Sequence, residues 1–290
     1  MTLEQLRIFV AVAQRQHVTR AAEALNITQS AASNAIAALE KQHGTQLFHR
    51  IGRRIELTEA GTMFLGEARA VLDRASAAEL ALAEYGELKR GTLRVVASQT
   101  VASYWLPGRL AAFRARHPGI SIELSIDNSE GAARRVLDGT AELGVVEGAI
   151  DEPALASWTV GEDRMLLVTS SPVGKVDDDW LRSARWIVRE QGSGTRSTFE
   201  EILRARGFDP RELRIAMVMP SNEAVRSAVE AGAGVAVLSE FVVRRALATG
   251  ELHRLEFPMP ARPFHALRHK ERYRTRAADA MADLLRETRK

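Results

Sequence analysis

Gln29, Ser30, Ser33 and Asn34 are short polar side chains that donate and accept hydrogen bonds, set along a segment whose other positions are mostly apolar. Amides and hydroxyls of that size suit the donor and acceptor code on base edges in a DNA major groove. Lysine and glutamate would serve solubility better. Thr19 and Thr28 precede them, and Arg50, Arg53 and Arg54 follow as a cationic cluster suited to phosphates or a minor groove. A second chemistry lies further along the chain. Ser98-Gln99-Thr100 offers two hydroxyls and an amide, and Arg189-Glu190-Gln191-Gly192-Ser193-Gly194-Thr195-Arg196 sets two glycines among further hydroxyls. Both runs suit an oxygen-rich or negatively charged small molecule if each opens a helix whose first N–H groups are free.

The elements that must hold the first set can be read directly. Thr19 ahead of Ala21, Ala22 and Leu25, with Glu23 in the first turn, predicts the start of a short helix that Asn26 ends. Thr28 is the expected N-cap of a longer helix in which Ala31, Ala32, Ala35, Ile36 and Leu39 face inward at helical spacing, leaving Gln29, Ser30, Ser33 and Asn34 outward. Beyond Gly44, residues 47–57 predict a hairpin around Ile51-Gly52 that carries the three arginines. Helix, tight turn, helix and basic hairpin in that order give the layout of a winged helix-turn-helix. Each piece alone has an ordinary alternative: an alanine-rich helix pair packs a core, and hairpin arginines form a solvated edge.

Taken together, the run TQSAASNAIAALEKQHGTQLFHRIGRRIELTEAG closely resembles the DNA-binding domain of LysR-type transcriptional regulators. The match runs through Thr28, Gln29, Ala32 and Ser33, then Leu39-Glu40, Gly44, Leu47-Phe48, Arg50, Arg54, Leu57-Thr58 and Ala60-Gly61. Ser30 stands where the family usually has proline, and Asn34 replaces the commoner glutamine or arginine. Both changes fall on the groove-facing side, so they bear on the operator sequence and not on the fold. The expected contacts to double-stranded DNA are Thr19, Thr28, Gln29, Ser30, Ser33, Asn34, Arg50, Arg53 and Arg54.

At 290 residues the chain can bury at least two cores, and one helix-turn-helix explains only part of it. The net charge of +3 is spread in mixed sign, so global charge says little about nucleic acid. Cysteine is absent, which excludes disulfides, thiolate metal sites and cysteine nucleophiles. The first residues, MTLEQLRIFVAVAQRQ, form an amphipathic helix with Glu4 and Arg7 inside it, unlike a signal peptide. No apolar run is long enough to span a membrane, and the cytoplasm is the expected location. From residue 58 to 90 there is no proline, and Phe64, Ala68, Val71, Ala75, Ala78, Leu82 and Tyr85 alternate steps of four and three, an a/d seam. Such a stripe packs either on its own domain or on a second copy. Behind a DNA reader, a dimer arm is expected, since two heads match an interrupted palindrome.

After Gly91 the pattern changes to alternating strands and helices. Strands are expected near residues 92–98, 120–126, 141–146, 165–169, 186–189 and 235–238, with helices through Leu106, Leu110 and Phe113, through residues 133–137, and from Thr195. This half resembles the effector domain of the same family, two α/β subdomains hinged around a cleft like type II periplasmic binding proteins. The expected organisation is a head at 1–58, a linker and dimerisation helix at 59–90, and an effector domain at 91–290. Within it, subdomain I takes 91–161 with 264–290, and subdomain II takes 162–263, with crossings near Gly161 and Pro263.

Ligands in such sheets sit beyond the carboxyl ends of strands. That places Ser98, Gln99, Thr100, Gly192, Ser193, Gly194, Thr195 and Arg196 as effector candidates, joined by Glu147 after the third strand and by Ser221-Asn222 at the start of a helix. Glu147 would repel a carboxylate unless Arg196 or another cation compensates. Arg196 either faces the ligand or pairs with Glu200 four residues on. Gly192 and Gly194 could equally just make the turn, with Ser193 and Thr195 capping the helix. The loops look most like those of family members governing carbon fixation or sulfur assimilation. No cofactor beyond a small, anionic effector is expected. The resemblance further implies a homotetramer built as a dimer of dimers, bent DNA and contact with RNA polymerase.

An enzyme is the rival class, but the glycine loop lacks a P-loop lysine, no histidine pair has the HExxH spacing, and Ser193 lacks a GxSxG setting. A solute-binding protein with an accessory DNA head is the other alternative, disfavoured by the missing export signal.

Overall fold

A computed structural model describes residues 1–51, 54–83, 91–148 and 150–287, and only the backbone at residues 50, 51, 54 and 80–83. The chain forms two units, Met1–Tyr85 and Gly86–Lys290.

In the first unit, α1 (Leu3–Arg15) opens with a capping box: Gln5 N–H donates to Thr2 Oγ1 at 3.2 Å, and Thr2 N–H donates to Gln5 Oε1 at 2.9 Å. Its apolar stripe buries Leu6, Phe9 and Val12. α2 (Val18–Ala24) starts one residue before Thr19, because His17 takes the N-cap and its side chain accepts from Arg20 N–H. Thr19 therefore lies inside the helix and is exposed. Asn26 ends the turn in the left-handed region at φ 54°, a conformation that asparagine tolerates. α3 (Gln29–His43) has Thr28 as its N-cap and Gly44 (φ 62°) as its C-cap. Ala32, Ile36 and Leu39 are buried. Ala31, expected inward, is exposed because it lies about 100° round the helix from Ala32.

The wing is β1 (Phe48–Ile51) paired antiparallel with β2 (Arg54–Leu57). α4 (Glu59–Ala83) follows. Phe9 sits between Phe48 and Phe64, with ring centroids 5.3 and 5.0 Å away. Burying such a ring contributes about 1.5–3 kcal/mol. The seam expected along α4 divides in consequence: Phe64 and Ala68 belong to the head core, whereas Val71 and Ala78 are exposed. Tyr85 and Arg53 lie outside the described residues.

The second unit runs β3 (Gly91–Ser98), a π-helical turn (Val101–Trp105), α5 (Leu106–Arg116), β4 (Ile120–Asp127), α6 (Ser129–Leu137), β5 (Leu143–Glu147) and β6 (Leu155–Thr169). It continues with α7 (Asp178–Ser183), β7 (Arg185–Arg189), α8 (Gly194–Ala205), β8 (Arg214–Met219), α9 (Asn222–Glu230), β9 (Val235–Ser239), α10 (Glu240–Thr249), β10 (His253–Leu255), β11 (Ala261–His269) and α11 (Arg276–Glu287). The strand order is β4-β3-β5-β11-β6-β9-β7-β8, with β10 on β6. β3 pairs parallel with β4 and β5, and β7 pairs parallel with β8 and β9. The antiparallel pair β6 and β11 joins these two halves. Apolar cores lie around each half: Phe113, Met281 and Leu284 pack on the first, Trp186 and Phe199 on the second.

β6 starts earlier than expected, and β8, β10 and β11 are strands beyond the six expected from the sequence. β6 begins at Leu155 and not near residue 165, since Glu162, Asp163 and Arg164 interrupt its apolar pattern. β11 passes in register beside it, Arg262 opposite Asp163 and Phe264 opposite Gly161, with a slip between Phe264 and His265. A Cβ on Gly161 would approach the Trp105 ring to 2.8 Å, so glycine is needed at this crossing.

Candidate functional site

Most residues that carry the head's sequence pattern are scaffold. Glu40 Oε1 accepts from Leu47 N–H at 2.8 Å and Phe48 N–H at 3.2 Å, tying α3 to the wing. Thr58 Oγ1 donates to Gln46 O at 2.8 Å and accepts from Gly61 N–H at 2.9 Å. A side chain on Gly61 would meet Leu47 O at 2.1 Å. These contacts fix the wing against α3, and that is what positions the polar face. On that face Thr28, Gln29, Ser30 and Asn34 are exposed and Ser33 is half-buried. Thr28 Oγ1 lies 3.0 Å from Ser30 Oγ, and Gln29 Nε2 donates to Ser33 Oγ at 3.2 Å. Ser30 thus replaces a rigid residue with a hydroxyl linked to the cap. Arg50 and Arg54 lie on β1 and β2.

In the second unit the runs singled out from sequence meet at the carboxyl ends of the parallel strands. Ser98 Oγ donates to the Glu147 carboxylate, and Thr100 Oγ1 donates to Glu147 Oε1 at 3.1 Å. Glu147 is only 2% exposed. Burial raises its pKa, and Arg262 and the Thr100 bond offset that rise only in part. The cation that meets Glu147 is Arg262, 3.8 Å away, which also pairs with Asp163 and donates to Thr195 Oγ1 at 3.2 Å. Ser239 Oγ completes the group by donating to Asp163 Oδ1 at 2.9 Å. Arg196 is engaged elsewhere: it pairs with Glu200 at 2.8 Å and donates to Arg189 O at 3.2 Å. It lines an open surface hollow of about 640 Å³ with Glu200, Arg204 and Arg211.

Two further sets of bonds join the halves. Asn222 N–H donates to Gln99 Oε1 at 2.7 Å, Asn222 Nδ2 to Thr100 Oγ1 at 2.9 Å, and Tyr104 Oη to Glu223 Oε1 at 3.1 Å. On the α6 side, Asn128 Nδ2 donates to Glu190 Oε1 and to Gln191 O, each at 3.3 Å, and Glu130 N–H donates to Gly192 O at 3.2 Å. Arg189 stands between the two sets, forked onto Glu190 and bonded to Asn222 Oδ1 at 2.7 Å.

The backbone requires both glycines of this loop. Gly192 adopts φ 81°, and a Cβ on Gly194 would meet Glu147 O at 2.2 Å. Ser193 occupies the N-cap of α8 but makes no capping bond, and its buried hydroxyl has no hydrogen-bond partner among the described residues. Ser221 does cap α9, accepting from Ala224 N–H at 3.0 Å. Arg262, Asp163 and Asn128 were not among the sequence candidates. The only signal for Arg262 was the cation that buried Glu147 requires. Asn222 and Arg189 lay inside the runs already singled out.

A winged helix-turn-helix followed by a two-halved α/β unit with polar groups at its strand ends defines a DNA-binding regulator with a small-molecule domain. Comparisons with known proteins agree. Residues 3–62 match the bacterial regulatory helix-turn-helix protein, lysR family, and residues 86–290 match the LysR substrate binding domain. The chain belongs to the LysR family of transcriptional regulators and is not an enzyme. It is 32% identical over 289 residues to the HTH-type transcriptional regulator YeiE of Escherichia coli K12, covering 98% of this chain and 96% of that one. A probable RuBisCO transcriptional regulator of Nostoc sp. is 31% identical, covering 97% and 86%. Among solved structures, full-length CbnR complexed with its target DNA superposes with a TM-score of 0.70 at 24% identity, covering 99% of this chain and 100% of that one. A full-length OxyR variant from Pseudomonas aeruginosa gives 0.70 at 23% identity, covering 99% and 95%. No helix among the described residues is long and apolar enough to cross a membrane.

Proposed function

We propose that this regulator is switched by a small anionic metabolite held at the strand ends between the two halves of its second unit, with no other cofactor. The observation that carries the reading is convergence. The N-termini of α8 and α9 and the turn after β3 meet around buried Arg189 and Arg262, beside the Ser193 hydroxyl, which has no partner among the described residues. Helix N-termini and guanidinium groups both favour oxyanions. Because the hydrogen bonds between the two halves run through Asn222, Glu190 and Gly192, a ligand that competes for them changes how the halves close.

The output follows from the head. α3 enters the major groove with Gln29, Ser30, Ser33 and Asn34 at base edges, the wing arginines Arg50, Arg53 and Arg54 meet the backbone, and Thr19 and Thr28 support from the helix starts. The exposed stretch of α4 around Val71 and Ala78 pairs two copies, and two such dimers form a tetramer on an interrupted palindrome in the cytoplasm, in reach of RNA polymerase. Likeness to probable RuBisCO regulators supports a metabolite of carbon metabolism.

A thermal-shift screen of sulfate, phosphate, small carboxylates and sugar phosphates identifies the ligand class. Thr100→Ala and Thr195→Ala are expected to weaken its binding about five- to tenfold, as loss of one or two neutral hydrogen bonds does, while operator affinity stays within twofold by mobility shift (roughly 0.4 kcal/mol). Unchanged calorimetric titrations in both variants would remove these loops from the site. Val71→Glu combined with Leu82→Glu is expected to give monomers that lose operator binding; dimers by light scattering would refute the arm.

A further inference from the structure

We infer that Glu190 is a built-in substitute for a carboxylate ligand: it occupies the fork of Arg189 that an acidic effector would take, and its displacement removes one of the two bonds by which Asn128 reaches across from the opposite half. This deepens the proposed function and rests on the cleft being the effector site. Arg189 is 4% exposed, so its charge must be matched by an anion inside the protein. Glu190 supplies that anion through both oxygens, Oε2 on Nε at 2.8 Å and Oε1 on Nη2 at 2.8 Å, the side-on geometry of a planar carboxylate on a guanidinium.

The two partners are held differently. Arg189 Nη1 is anchored on Asn222, which Gln99 and Thr100 hold in turn. Glu190 keeps 29% of its side chain exposed, and its one further side-chain partner among the described residues is Asn128 Nδ2 at a long 3.3 Å. Glu190 is therefore the partner that moves. A ligand carboxylate would exchange for it one for one, leaving Arg189 charge-matched throughout. Asn128 would then keep only its bond to Gln191 O across the two halves. The same exchange explains selectivity: a planar acid can make the two parallel bonds, whereas a spherical anion cannot.

The test titrates the full-length protein calorimetrically with sodium acetate, against sodium chloride at matched ionic strength. Glu190→Gln removes the competing charge and is expected to bind acetate at least about tenfold more tightly than the unaltered protein, with chloride unchanged. Asn128→Ala removes the Asn128 bond to Glu190, together with the α6 cap on Gly131 N–H and the bond to Gln191 O, and is expected to give a gain of about two- to threefold in folded protein, a fraction of a kcal/mol as for a weak neutral bond. Acetate affinity in folded Glu190→Gln equal to or below that of the unaltered protein would overturn the inference. Should Glu190→Gln not fold, an unchanged Asn128→Ala would do so. If Thr100→Ala and Thr195→Ala weaken acetate binding while Glu190→Gln fails to strengthen it, the cleft stands and only the substitute falls. If Glu190→Gln gains affinity that those two alanines do not affect, the substitute stands and the Thr100 and Thr195 loops are removed from the site.

Discussion

The recognition face of α3 and the strand-end cluster of the second unit both use polar side chains at the starts of helices, but under opposite conditions. On α3 the hydroxyls and amides are mostly solvated and bonded to one another, Gln29 to Ser33 and Thr28 to Ser30. Beneath them the helix is held by buried apolar residues, Ala32, Ile36 and Leu39, and at its far end by Glu40 on the wing. In the cluster, Ser98, Thr100, Glu147, Thr195 and Asn222 are buried and bonded to charged groups, so they are part of what holds the unit together. A solvated polar face can change sequence at little cost in stability. A buried one cannot, because each removal strands a desolvated partner.

The largest effect expected from that contrast is at Arg262. Its loss in Arg262→Ala leaves Asp163 and Glu147 buried without their cation, a change expected to cost about 3–5 kcal/mol in urea unfolding of the second unit. An unfolding midpoint equal to that of the unaltered protein would break the comparison. On the other side, Gln29→Ala is expected to leave unfolding within about 0.5 kcal/mol while weakening specific operator binding by about 1–3 kcal/mol, read by mobility shift against non-specific DNA. A destabilised Gln29→Ala would show that the recognition face also holds the head.

The same contrast explains what could be read from the chain. The head was legible to its caps, since Thr28, Asn26 and Gly44 act through local backbone geometry. The error at Thr19 was also local: His17 can cap, but histidine carries a weak prior for that position. The outward face of α3 followed from periodicity, and Ala31 was misplaced because alanine is neutral between inside and outside. In the second unit, the loops at Ser98 and Gly192 were visible as strand-end runs. Arg262 and Asp163 were not, because they meet only when β11 returns beside β6, 99 residues later in sequence. β6 itself was cut short because a buried charge pair reads locally as a solvated turn. Arg196 was ambiguous for the converse reason: Glu200 at the fourth position satisfies it within its own helix.

The smallest effect sharpens the contrast through pH. Burial, only partly offset by Arg262 and the Thr100 bond, raises the Glu147 pKa above its ordinary 4.5, so between that value and the raised one the folded protein binds more proton than the unfolded chain. Stability from this group therefore falls as pH rises through that window and is flat above it, with a slope of at most about 1.4 kcal/mol per pH unit. His265 acts in the opposite sense, since burial lowers its pKa below 6.5 and acidification then favours the unfolded chain. Glu190 is held below 4.5: burial would raise it, but the bonds and charge of Arg189 outweigh that, so its contribution is lost only at lower pH. Subtracting the stability profile of Glu147→Gln from that of the unaltered protein isolates Glu147. The difference between them is expected to move against Glu147 as pH rises from about 4.5 towards neutrality. A difference independent of pH over that range would mean that Arg262 and the Thr100 bond hold Glu147 as an ordinary carboxylate, and that the cluster behaves in this respect like the solvated face of α3.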